Sequence, residues 1–142
     1  MASKLAQNFL YLMAKGDVDM DTNSFIIILM TTGFVFNRGS HHLYADVSAS
    51  ELATGNGYTV KTKVLAGYAI ARNDTLYKAT ITWSNPAWTA SGGPIGPASG
   101  AIIIDDTVAN DRIVGYIDFG GDGTEPDGGV FTITSPSLDL TT

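Results

Sequence analysis

The sequence predicts a mainly β domain of about eight short antiparallel strands with one short N-terminal helix, in a sandwich, jelly roll or barrel. Three observations carry that expectation. The apolar stretches are short, and several alternate with polar residues at the two-residue period of a strand. Turn chemistry built from Gly, Pro, Asn-Gly and Asn-Asp recurs roughly every 8–12 residues. Charged residues make up 15% of the chain against a usual quarter, while glycine contributes 16 residues. At 142 residues the chain is expected to form a single β domain over 1–142, with 1–16 as an N-terminal helix or arm.

Ser3 to Lys15 is the helix candidate. Leu5, Phe9, Leu12 and Met13 fall on one face, Ser3 can cap the start, and Gly16 can end it in a left-handed conformation. About three turns are marginal alone, so this segment must dock on a sheet or on a partner. Gln7 and Asn8 interrupt its apolar character, which reads as part of the domain and not as a signal peptide.

Phe25–Met30 (FIIILM) reads as a strand buried on both faces, and Phe34–Phe36 extends it or opens the next. Residues 37–56 are irregular up to the Asn56-Gly57 turn. Tyr58–Leu65 alternates and is expected to be a strand with one wet face, followed by Tyr68–Ala71. In Leu76–Trp83 the set Tyr77, Ala79, Ile81, Trp83 is expected to face the core. Prolines and glycines between Asn85 and Gly100 argue against regular structure there. Ala101–Ile104 and Ile113–Phe119 read as strands joined by polar Asp105–Arg112, and Gly120–Gly129 as a turn. Val130–Thr134 and Leu138–Leu140 finish the chain.

Composition narrows function more by exclusion than by assignment. A net charge of −6 leaves no basic patch for a nucleic acid. With no cysteine there is neither a disulfide framework nor a thiolate metal site. No apolar run approaches the length of a membrane-spanning helix. His41 and His42 are adjacent, so on a strand they would point to opposite faces and ligate poorly together. DVDMDTN (17–23) fails as an EF-hand, because Thr22 and Ile28 stand where Gly and Glu are required. Asp122, Glu125 and Asp127 read as an acidic turn more than as a weak calcium loop, and Asp105/Asp106 as a polar strand end more than as a catalytic carboxylate pair. No nucleophile elbow or phosphate cradle is present. No cofactor, metal or catalytic residue is expected.

The loop between the two central β segments remains. Trp88 stands in it with Pro94, Ile95 and Pro97, and a large ring there either folds under its own loop or meets a partner. Together with Leu5 and Phe9 of the N-terminal arm, these four form the expected partner-binding set.

Three segments then carry a resemblance: DVSASELATGNGYT (46–59), TWSNPAWTASGGPIGPASGAIIIDD (82–106) and VGYIDFGGD with GGVFTI (114–133). In this order, and with the short helix and apolar strand before them, they resemble a family of small virion proteins of tailed bacteriophages. The likeness covers nearly the whole chain. Ser99-Gly100 departs from an Arg-Tyr pair in that family, and Ile104 from an aromatic. The resemblance implies a jelly-roll-like β-sandwich and a non-enzymatic head-decoration (cement) protein. It would bind the major capsid protein on the outer surface of the phage head, as a homo-oligomer on the particle. A neck, tail or fibre station is the alternative, followed by a glycan-binding β domain with Trp88 as its platform.

Overall fold

The computed structural model describes residues 2–107 and 111–141; within the polar connector expected at 105–112, positions 108–110 lie outside the described residues. The elements in chain order are β1 (Ala2–Leu5), α1 (Gln7–Lys15), β2 (Phe25–Thr31), β3 (Lys63–Val64), β4 (Ala69–Asn73) and β5 (Lys78–Thr82). They continue with β6 (Ala87–Thr89), β7 (Ile95–Asp105), β8 (Arg112–Glu125), β9 (Val130–Thr132) and β10 (Ser137–Thr141). Two single-turn 3₁₀ helices, Tyr44–Asp46 and Ser48–Ser50, sit in the irregular stretch before the Asn56-Gly57 turn. The mainly β class with one short helix is therefore what the chain adopts.

The helix starts later than its periodicity suggests. Ala2–Leu5 pairs in register with Asp118–Gly115 instead, giving the exposed side of β8 a neighbour. Ser3 is thus a strand residue and not the cap. Ala6 takes the N-cap position with no side-chain bond; the Ala6 N–H donates to the Val114 carbonyl and that of Gln7 to Arg38. At the other end Gly16 adopts φ 81°, and the N–H groups of Gly16 and Asp17 return to Met13 and Leu12, closing the helix as expected.

All strand pairings are antiparallel. The largest sheet has the order β1-β8-β7-β2-β3, a second is β10-β5-β4, and a third pairs β6 with β9. The strands thus divide five, three and two among the described residues, where an eight-stranded jelly roll would divide them between two sheets. β2 lies between β7 and β3, and Phe25 to Met30 are buried without alternation, as a strand covered on both faces must be. Its partner β7 contributes Ala101–Asp105, buried at every residue.

Several sequence expectations need correction. The alternating Tyr58–Leu65 segment yields only the two-residue β3, because Lys61 takes φ 56° and the chain turns there. Tyr77 is not core: it lies in the β4–β5 turn at φ 51°, while Ile81 and Trp83 of the same set are buried. The Pro/Gly stretch 85–100 holds β6 and the start of β7. The glycine-rich segment after Phe119 continues β8 as far as Glu125, so the turn is confined to residues 126–129. Phe34 and Phe36 lie outside any strand, and their rings pack against His41 and Tyr116.

One hydrophobic cluster joins the three sheets. It runs from Leu5, Phe9 and Leu12 through β2, β7 and β8 to Ile81, Trp83, Trp88, Phe131 and Leu138. Gly115 makes the junction between the first two sheets possible, since a Cβ there would collide with the Lys4 carbonyl and the Leu138 side chain.

Candidate interaction surface

The expected partner-binding set divides sharply. Trp88 is 4% exposed, and Leu5, Phe9 and Ile95 are buried as well. These four are core residues, which removes them from any contact surface. For Trp88 the physical reason is pairing: β6 lies against β9 with Trp88 opposite Phe131, and the ring packs between Tyr58 (5.8 Å) and Phe131 (6.2 Å). The Lys63 ammonium sits 5.3 Å from its centroid. Of the two alternatives for this ring, the chain takes the inward one. The indole N–H finds no acceptor among the described residues. Leu5 ends β1 facing the core, and Phe9 lies on the buried face of α1. Pro94 and Pro97 are exposed.

The Pro/Gly segment is fastened to the body. The Asn56 amide donates to the Pro94 carbonyl at 2.9 Å, and Gly57, at φ 95°, passes so close to the Thr89 carbonyl that no side chain fits. The peptide from Gly96 to Pro97 is cis.

The motif DVSASELATGNGYT resolves into structural hydrogen bonds. Asp46 accepts from the backbone N–H groups of His42 and Leu43, which holds its carboxyl below the usual range. Glu51 is buried, and its two oxygens accept from the Tyr44 hydroxyl (2.5 Å), the Tyr58 hydroxyl (2.7 Å) and the Lys61 N–H (2.8 Å). Tyr58 in turn accepts from the Leu29 N–H of β2 at 3.0 Å. Burial pushes the Tyr44 hydroxyl up to about 12, with the Glu51 carboxylate adding to it. Burial also drives the Tyr58 hydroxyl far above the usual phenol range; the Leu29 N–H opposes this and Glu51 reinforces it. Lys61 reaches over the Tyr44 ring, 4.9 Å from the centroid, to an ion pair with Asp111. These bonds anchor the 44–61 segment to β2 and to its own turns.

The other polar candidates behave alike. Asp105 is fully buried and accepts from the Asn23 amide (2.6 Å) and the Thr107 N–H (2.9 Å), which makes it the stapled strand end that its position suggests. Asp106 has its carboxyl pushed up by burial and then by neighbouring Asp111. Asp19 folds back on the Asp21 N–H in the DVDMDTN turn. His41 accepts from the Asn37 N–H and packs between Phe34 and Phe36, while His42 is bonded to the Gly39 carbonyl. No group of three or more His, Asp or Glu residues comes together as a metal site among the described residues, and no helix there is long and apolar enough to cross a membrane.

What the surface does offer is apolar and lies elsewhere. β4 is exposed at all five residues, and the β4–β5 hairpin displays Ile70, Leu76 and Tyr77 at 56, 61 and 77% exposure. Beside its tip is an open depression of about 430 Å³ bordered by Arg72, Asp74, Tyr77, Lys78 and Leu140. At the far end of β8, Phe119, Gly120, Gly121, Asp122, Gly123 and Phe131 line a second one of about 400 Å³. Alternation could have flagged Ile70, but Leu76 and Tyr77 became surface residues only because the turn falls on them. Comparison with protein-family models, curated proteins and solved structures finds no match for this chain.

Proposed function

We propose that this protein is a non-enzymatic structural component of a tailed-phage virion, a decoration (cement) protein that binds the major capsid protein on the outer surface of the head and stabilises the shell. The observation that carries this reading is the ordered resemblance across 46–133, taken with the role its polar residues play. Asp46, Glu51, Tyr58 and Asp105 are all engaged in bonds that build the β domain. A family signature made of fold-building residues suits a scaffold that works by shape and surface. In this role a preformed domain spans the seam between capsid subunits, and many copies act cumulatively against internal pressure. Of the expected contact loop, Pro94 and Pro97 remain on the surface.

Purified protein added to expanded capsids that lack it is expected to bind and to raise their disruption temperature. Absence of both effects rules the reading out. Copy number separates the neck, tail or fibre alternative, since cement occupies the whole lattice and tail parts only a few positions. The glycan-binding alternative has lost its platform, because the Trp88 ring is enclosed.

A further inference from the structure

We propose that the β4–β5 hairpin of one copy docks into the glycine-lined groove at the end of β8 of a second copy, a head-to-tail contact between identical chains. The inference deepens the decoration reading, in which neighbouring copies share a lattice, and it rests on that reading only for its setting.

The hairpin is built to present its tip. Among the described residues β4 pairs with β5 alone, so one strand edge and both faces stand free. Asn73 Oδ1 accepts from the Thr75 and Leu76 N–H groups and fixes the turn. Tyr77 then sits at φ 51°, a left-handed conformation that strains a residue with a Cβ and that Gly or Asn would take more easily. A strained, outward-facing tyrosine beside exposed Leu76 is an arrangement that folding alone does not favour. Tyr and Arg are also the side chains that anchor interfaces most often.

The groove has the matching charge and room for a side chain. Gly120 and Gly121 leave bare backbone beside the Phe119 ring, which packs on the Phe131 ring with centroids 6.1 Å apart, and together they line an open slot of about 400 Å³. Its carboxylate, Asp122, is exposed. From Ile113 to the end of the chain there is no lysine or arginine, whereas Lys61, Lys63, Arg72 and Lys78 all fall within 61–78. Lys61, Lys63 and Lys78 are committed to Asp111, the Ala87 carbonyl and Asp139. Among the described residues Arg72 is held only by Asp74, in a pair whose side chains are 83 and 74% exposed, so solvent screening leaves it open to exchange. With Tyr77 in the slot, Arg72 is the cation that meets Asp122. Because hairpin and groove are different patches, the contact is heterologous and propagates from copy to copy, closing into a ring only where the rotation allows.

Sedimentation velocity of the full chain at low ionic strength tests this. The wild type is expected to show concentration-dependent species larger than the monomer. Tyr77→Ser and Asp122→Lys should each weaken association by roughly tenfold or more. An equimolar mixture of the two variants should recover a 1:1 complex, because one keeps its hairpin and the other its groove. Melting followed by circular dichroism checks that both variants fold; Leu76→Ser replaces Tyr77→Ser if that one does not. A wild type that stays monomeric at every concentration, association untouched by Asp122→Lys, or a mixture that fails to associate would each overturn the proposal. No capsid is present in the measurement, so its failure leaves the decoration reading standing, and failed capsid binding by a self-associating protein counts against that reading alone.

Discussion

At the scale of single residues, Glu51 and its tyrosines decide how the irregular 37–61 region is held. A buried carboxylate is tolerable only when its lone pairs are filled, and here two hydroxyls and one backbone N–H fill them. The pH consequence has a definite sign. Both phenols are raised in the folded chain, so they contribute stability that is fully present below the unfolded phenol value of about 10 and is lost as pH rises toward the folded values. Tyr58→Phe strands the Leu29 N–H and one Glu51 lone pair, at a cost of about 1–3 kcal/mol at neutral pH. The variant's deficit should therefore shrink above about pH 10, as the wild type loses what the variant already lacks. Urea titrations at neutral and alkaline pH measure it, and a deficit that stays constant would show that Tyr58 does not carry the alkaline sensitivity. The Glu in DVSASE and the Tyr after Asn-Gly were visible in the sequence, but their meeting was not: they are brought together by the 3₁₀ turns and the left-handed Lys61, which no periodicity announces.

At the scale of elements, legibility followed how much of a strand's burial its own pattern could express. β2 and the Ala101–Asp105 half of β7 are continuous apolar runs, readable because both faces are covered. α1 was readable from its period and its terminal glycine, yet its first turn was lost to β1, since competition from the β8 edge is a tertiary effect. β6 was missed because three residues between prolines carry no period at all, and with it went the correct placing of Trp88. The outer sheet offers a further test. Asp139 of β10 faces Thr80 of β5, accepts its hydroxyl at 2.7 Å and pairs with Lys78 at 2.9 Å. The Lys78 hydrogen bond first, and the Thr80 one next, hold the Asp139 carboxyl below its usual value. Its contribution is thus present above the unfolded value of about 4 and disappears as pH falls through the folded one. Asp139 is more than a third exposed, so screening keeps the pair within about 1 kcal/mol. Asp139→Asn should lower stability slightly at pH 7 and converge on the wild type in acid. Asp106, raised instead of lowered, works in the opposite direction, so the comparison must be variant against wild type and not pH against pH.

At the scale of the whole molecule, three sheets with separate hydrogen-bond ladders share one apolar interior. Leu138 of β10 fills the space that Gly115 leaves on β8, and Phe131 of β9 packs at a tilt against Phe119 of β8 while meeting Trp88 of β6. Neither small sheet has a core of its own: a two-stranded ribbon is marginal in water, and the three-stranded one leaves β4 bare on both faces. The domain should therefore unfold in one cooperative step despite its divided ladders. Leu138→Ala removes a contact between the first and second sheets and Trp88→Ala one between the first and third. Each is expected to cost several kcal/mol, about 2–5 for the leucine and 3–5 for the tryptophan. The informative measurement is the shape of the transition. Far-ultraviolet circular dichroism, tyrosine fluorescence and calorimetry should all move together to a lower temperature in both variants. If Trp88→Ala produced a second, earlier transition while the main one stayed in place, the β6–β9 ribbon would be an independent unit, and the groove at the end of β8, which Phe131 helps to line, would belong to a part of the molecule that opens on its own.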